Sequence, residues 1–296
     1  MFRLLACLLL VAGATQARTL DVGTTMAFKT PSAASAAAKD GDRIAIHPGT
    51  YRDCAVWNAN NLVIAGIGNP ETIVIADKSC QGKALFVTVG DNIAVENITL
   101  THARVPDGNG AGIRAEGHTL TVTGVRFVDN QNGILTGTTG GTVTIRDSLF
   151  DRNGTCEKAC AHGVYIGAVD LLRIENSRFM GTIQGHHIKS RALRTEITGC
   201  TIDDGSVGTA SYSIDIPNGG AVLIRGNTLQ KGPQSENHSA MIAIGEEGVT
   251  HPTPDIVIEG NTARNDGPWD TDFVRNRTAT PALLHGNRLF GAIRAP

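Results

Sequence analysis

The sequence predicts an all-β chain wound as a solenoid, in which the short strands of one repeat lie parallel on those of the next. Three observations carry that expectation. A motif with Asn, Asp or Gly at its centre recurs as VENITL at 95, VTGVRF at 122, IRDSLF at 145, IENSRF at 174, ITGCTI at 197, IRGNTL at 224, IEGNTA at 258 and, more weakly, LHGNRL at 284. The steps between copies run from 23 to 34 residues, the irregularity expected of loops of varying length between fixed strands. A second run accompanies the motif, as AGIRAE, NGILTG, HGVYIG, HHIKSR, YSIDIP, MIAIGE and, less clearly, DFVRNR. Composition agrees with both, because aromatic residues make up 4% and glycines number 35, which suits short strands separated by many turns.

Taken from its start, the chain opens with MFRLLACLLLVAGATQA, where Arg3, an apolar run and the small residue Ala17 have the layout of a secretory signal peptide. The run falls short of the roughly 20 residues that a membrane span needs. Cleavage near Ala17 is therefore expected, with residues 1–17 as signal, 18–296 as the mature domain, no membrane span afterwards, and a secreted or periplasmic location. An oxidising compartment favours disulfides. Cys156 and Cys160 share the loop CEKAC, and Cys54 and Cys80 stand about one repeat apart, which places one above the other. These are the expected pairs, and Cys200 in TEITGCTI is left as a small buried hydrophobe. No Cys/His spacing suits zinc. A formal net charge of -2 argues against a nucleic-acid partner.

After the signal, KTPSAASAAAKDGDRIAIHPGTYRD reads as Thr30 capping a short Ala-rich helix with Pro31 at its first position, then a Gly-Asp turn, then an alternating strand from Arg43 to His47. This helix followed by the repeats, over roughly residues 30 to 290, resembles the right-handed parallel β-helix of the pectin-lyase-like superfamily. The resemblance implies a single-stranded right-handed parallel β-helix of three parallel sheets, with coils from about Asp42 to Leu289. A helix from Pro31 to Lys39 would plug the open end of the first coil, which otherwise exposes apolar core and strand edges.

Aligning the companion runs on Ile113, Ile134, Val164, Ile188, Ile214, Ile242 and Val274 makes one inward column. The next residue of each run forms an outward column: Arg114, Leu135, Tyr165, Lys189, Asp215, Ala243 and Arg275. Parallel strands lie about 4.8 Å apart, so Tyr165, Lys189 and Asp215 become vertical neighbours. Strict alternation sends His187 and Arg191 to the same face as Lys189, and sends His162 and His186 inward as core or turn residues. Each of these has a plainer reading as well: Lys189 and Asp215 as an exposed ion pair, Tyr165 as a β-former, Asp203 and Asp204 as turn residues. The co-occurrence of His, Lys, Arg and Tyr on adjacent coils raises the patch above its parts.

Such a patch suits removal of the acidic hydrogen beside a uronate carboxylate. Arg191 and Lys189 would neutralise the carboxylate, His187 or Lys189 would serve as base, and Tyr165 or Tyr212 would protonate the leaving oxygen. Asp215, Arg114 and Arg275 are expected to bind substrate. The resemblance implies a glycan-active enzyme, with pectate lyases, alginate and chondroitin lyases and C5-epimerases in the same superfamily. The expected function is thus a lyase on an acidic, uronate-containing polysaccharide, from a chain acting as a monomer. A C5-epimerase, a glycoside hydrolase and a noncatalytic glycan-binding or export protein stand as alternatives. The resemblance leaves calcium open as a cofactor, although no clear cluster of acidic ligands is present.

Overall fold

The structure, a computed structural model, describes residues 17–137 and 140–295. The expected signal peptide lies outside the described residues except for Ala17. The described strands form three sheets of 11, 10 and 10 strands, and every pairing between them is parallel. Each turn of the chain visits the three sheets in the same order, as in Arg43–Ile46, Gly49–Tyr51 and Ala55–Trp57.

The recurrent motif is the corner between the first and second sheets. Its first residues pair in register from coil to coil, as Val95 with Val122, Ile145, Ile174, Ile197, Ile224, Ile258 and Leu284. Its central residue turns the backbone into the left-handed region, with φ of 56° at Asn97, 50° at Asp147 and 64° at Gly226. Asn, Asp and Gly recur there because they tolerate that conformation best. The following position points inward and builds a buried ladder, in which the Asn227, Asn261 and Asn287 side chains accept the backbone N–H of Cys200, Asn227 and Asn261. Cys200 occupies one rung, is 2% exposed, and has its thiol pushed up to about 11 by burial. The other described cysteines form the bridges Cys54–Cys80 and Cys156–Cys160.

Inside the coils, Phe127, Phe150 and Phe179 of the second sheet stack at 4.6 Å between ring centroids. The N-terminal helix is Pro31–Ala37, two residues shorter than expected, with Thr30 accepting the Ala33 N–H as its cap. The stack also begins earlier than Asp42, because Thr19–Val22 pairs with Arg43–Ile46, and it continues past Leu289 to Ile293–Arg294. Among the described residues no helix is long and apolar enough to cross a membrane.

Candidate active site

The third sheet carries the candidate site on its outer face. Its strands Val164–Ile166, Ile188–Ser190 and Ile214–Ile216 pair so that Tyr165 lies beside Lys189 and Lys189 beside Asp215. The whole expected column is in register, from Arg114 through Leu135, Tyr165, Lys189, Asp215 and Ala243 to Arg275.

Lys189 is 7% exposed, and its Nζ lies 3.2 Å from Asp215 Oδ2 and donates to Glu247 Oε1 at 2.5 Å. Arg191 spreads its guanidinium over three acceptors: Nε donates to Tyr165 Oη at 3.1 Å, Nη1 to Asn218 Oδ1 and Nη2 to Glu247 Oε2, both at 2.5 Å. Both cations sit within 6 Å of the Tyr165 ring centroid, at 5.8 and 5.7 Å, a distance at which the ring quadrupole attracts them. Asp215 is 2% exposed, and burial pushes its carboxyl up to about 6 against the pull of Lys189. Its Oδ1 has no hydrogen-bond partner. Burial also raises Glu247, but the hydrogen bonds from Lys189 and Arg191 outweigh it and hold that carboxyl below its ordinary range.

His187 departs from its expected place. It is fully buried, with Nδ1 2.7 Å from Thr182 Oγ1 and Nε2 2.7 Å from Asp204 Oδ1. The reason is a break in alternation. The residue before each inward isoleucine or valine also points inward, and the ladder skips it, as Ala111 pairs with Asn132 and Ile113 with Ile134. Gly112 and Gly133 hold this position in their coils, where a Cβ would strike the Phe127 and Phe150 rings at 2.7 and 2.6 Å. In later coils it is taken by His187, Ser213, Met241 and Phe273, all buried. Two consecutive inward residues shift the phase, so the residue two before the isoleucine faces outward.

That shift brings out His162, His186 and Tyr212, the first two of which alternation had placed inward. Their rings stack from coil to coil, His162 on His186 at 4.8 Å and His186 on Tyr212 at 5.2 Å, with the Tyr165 ring edge-on to His162 at 5.1 Å. His162 Nδ1 accepts the His186 backbone N–H, and His186 Nδ1 accepts that of Tyr212. Burial, reinforced by the charge of Lys189, brings His186 down to about 3, so it is neutral at ordinary pH. With Nδ1 accepting, the proton sits on Nε2, which lies 3.4 Å from Asp215 Oδ2. His186 is thus the histidine that touches the patch.

Tyr165, Lys189, Arg191 and Asp215 come together, and Tyr212 joins through His186. Arg114 and Arg275 share the column but lie three strands from Lys189 on either side, about 14 Å away at the usual strand spacing. They are paired locally, Arg114 with Glu116 at 3.6 Å and Arg275 with Asp272 at 2.9 Å. Glu247 and Asn218 escaped the sequence reading because they sit in loops after the strands, where no column exists to align. The phase shift did leave a signal, since Gly, His, Ser, Met and Phe precede the isoleucine column and nearly all of these are small or apolar.

The acids of the patch are each engaged by a cation, and among the described residues no group of three or more His, Cys, Asp or Glu could hold a metal ion. This donor set does not fit calcium.

A profile of the right-handed β-helix region matches residues 46–229. The chain belongs to the right-handed β-helix family. Among solved structures, this β-helix resembles pectate lyase Pel9A with a TM-score of 0.64 and 14% identity, over 96% of this chain and 80% of that one. It resembles an alginate lyase from Paenibacillus sp. str. FPU-7 with a TM-score of 0.55 and 16% identity, over 94% and 99%. It resembles the pectin methylesterase PemA from Erwinia chrysanthemi with a TM-score of 0.50 and 12% identity, over 93% of both. A sequence comparison with curated proteins finds no match. At these identities the likeness of the β-helix to its neighbours is one of fold.

Proposed function

We propose that the protein is an exported lyase that cleaves an acidic, uronate-containing polysaccharide by β-elimination on the outer face of the third sheet. One observation carries the reading: Lys189 and Arg191 converge on a single carboxylate position beside the Tyr165 hydroxyl, with the basic-shifted carboxyl of Asp215 beneath. The two disulfides support export. The names of two structural neighbours, a pectate lyase and an alginate lyase, lend support to elimination.

Arg191, tied by Asn218, holds the uronate carboxylate and neutralises the charge that spreads onto it as the adjacent C–H bond breaks. Lys189 passes a proton to Asp215, whose burial makes it a better acceptor than an ordinary carboxylate, and the free amine takes the C5 hydrogen as a proton. The C–H electron pair becomes the C4–C5 double bond, and the C4–O bond breaks. Tyr165 Oη accepts from Arg191, so its own hydrogen is available to the leaving oxygen. Proton exchange with water restores Tyr165 and Asp215.

The test is to incubate the mature protein with polygalacturonate, alginate and chondroitin and follow ultraviolet absorbance of unsaturated ends. Absorbance with at least one polymer is expected. A second reading has a specific observation behind it: Asp215 and Glu247 flank one ammonium, and their pKa values are pushed apart, as in the acid and base of a glycosidase. New reducing ends without absorbance would replace elimination by hydrolysis. No chain shortening, with altered proton NMR of the polymer, would mean C5-epimerisation.

The acid limb of turnover should fall near pH 6, because Asp215 takes up its proton there and can no longer receive one from Lys189. Asp215→Asn should be slow throughout and should lack this limb. The sign for stability is the reverse. The native carboxyl binds its proton more tightly than an unfolded one at 3.8, so Asp215 contributes most to stability at low pH and loses it as pH rises towards 6. A limb unchanged in Asp215→Asn would assign it to another group.

A further inference from the structure

Glu247 is joined to the patch across a large interval of chain. It lies 58 residues beyond Lys189, in the turn after the strand Ala240–Ile244, yet one of its oxygens meets Lys189 and the other Arg191, each at 2.5 Å. We infer that Glu247 is the resident occupant of a carboxylate-binding subsite, and that a sugar carboxylate binds there by displacing it. The inference rests on the proposed reading of the patch around Lys189 and Arg191 as the place where a uronate carboxylate is held.

The turn itself does not depend on this contact. Gly245 N–H donates to Ile216 O, Glu247 N–H to Pro217 O, and the N–H groups of Thr250 and His251 to Asn218 O, while Asn218 Nδ2 donates to Gly248 O. Gly245 and Gly248, with φ of 82° and 97°, shape the turn so that Glu246 and Glu247 project from it in succession. Glu246 reaches Arg277 at 3.3 Å, and Glu247 reaches the patch. The Glu247 side chain is 45% exposed, whereas those of Lys189 and Asp215 are 9% and 3%. Its carboxylate can therefore swing into water while every backbone bond of the turn stays made.

What it leaves behind limits what can replace it. Lys189 keeps Asp215 and Arg191 keeps Tyr165 and Asn218, but each cation loses its bond to Glu247, and only an incoming group with two anionic oxygens remakes both. A free uronate does so; its methyl ester and a neutral sugar do not. Binding is then an exchange of carboxylates, and the apparent affinity is the intrinsic affinity multiplied by the fraction of molecules with Glu247 swung out.

If that fraction is about 1–10%, removing the resident carboxylate tightens binding about 10- to 100-fold. The experiment titrates the full mature protein with sodium glucuronate, sodium galacturonate and the methyl ester of glucuronate, reading the side-chain NMR signals of Lys189 and Arg191. Glu247→Gln and Glu247→Ala should bind one or both free acids at least tenfold more tightly than the unmodified protein, and should bind the ester no better than a neutral sugar. Glu246→Gln, which removes the same charge from the neighbouring residue, should leave acid binding within about twofold. Equal affinities in Glu247→Gln and the unmodified protein would overturn the inference. So would an equal gain in Glu246→Gln, which would reduce the effect to net charge. The absence of cleavage of any polyuronate would defeat the lyase reading and leave this binding comparison standing.

Discussion

Lys189→Arg is expected to keep the fold and glycan binding but to lose turnover by about 10² to 10⁴, the usual contribution of a general base. Arginine preserves the positive charge that Asp215 and Glu247 surround, yet it does not give up its proton at any working pH. The charge role and the base role of Lys189 are thereby separated. Lys189→Met, which removes both, is expected to lose turnover at least as far and to weaken binding as well. It also leaves Asp215 buried without its cation, so that carboxyl should take up a proton and remain neutral to higher pH. Turnover and glycan affinity should be measured separately for each variant after circular dichroism shows an intact fold. Wild-type turnover in Lys189→Arg would remove Lys189 from the base role and leave it as a binding cation.

His187→Ala is expected to fail differently, through stability. The imidazole satisfies a wholly buried set, with Nε2 2.7 Å from Asp204 Oδ1 and Nδ1 2.7 Å from the Thr182 hydroxyl oxygen. Asp204, 2% exposed, uses its other oxygen to accept the Gly232 N–H. Lys231 is buried nearby, and burial lowers it to about 8 against the opposing pull of Asp204. Removing the ring strands a carboxylate oxygen and a hydroxyl in the interior, and a buried polar group left without its partner typically costs about 1–3 kcal/mol, more for a charged one. Urea or thermal melts should show that loss, while the folded fraction turns over at close to the wild-type rate. Full stability with abolished turnover would return His187 to the chemistry.

The contrast between these neighbouring residues shows what a sequence of this kind discloses. Strand register was legible because it depends on a repeated local event. Asn97, Asp147 and Gly226 turn the corner at equivalent points of their coils, so whatever follows at a fixed offset is carried to a fixed height and column. Tyr165, Lys189 and Asp215 were aligned by that offset alone, and the pairing of Cys54 with Cys80 follows from the same stacking. The helix was legible from Thr30 and Pro31, a cap and a first residue whose effects are local.

Facing was not legible from period two. The Phe127 and Phe150 rings crowd the space in front of Gly112 and Gly133, and two successive residues of each coil turn inward there, which reverses the expected sides of His186 and His187. Those rings come from the second sheet, on strands Arg126–Val128 and Leu149–Asp151, across the interior from these positions. The resident partner of the cations lay further out of reach, since Glu247 is brought to Lys189 and Arg191 by a loop whose path no repeat dictates. The sequence by itself determined the stacking of the coils, because register follows from spacing between repeated turns. Tertiary structure alone decided which histidine faces the patch and which carboxylate closes it, because both depend on contacts between segments that have no local periodicity in common.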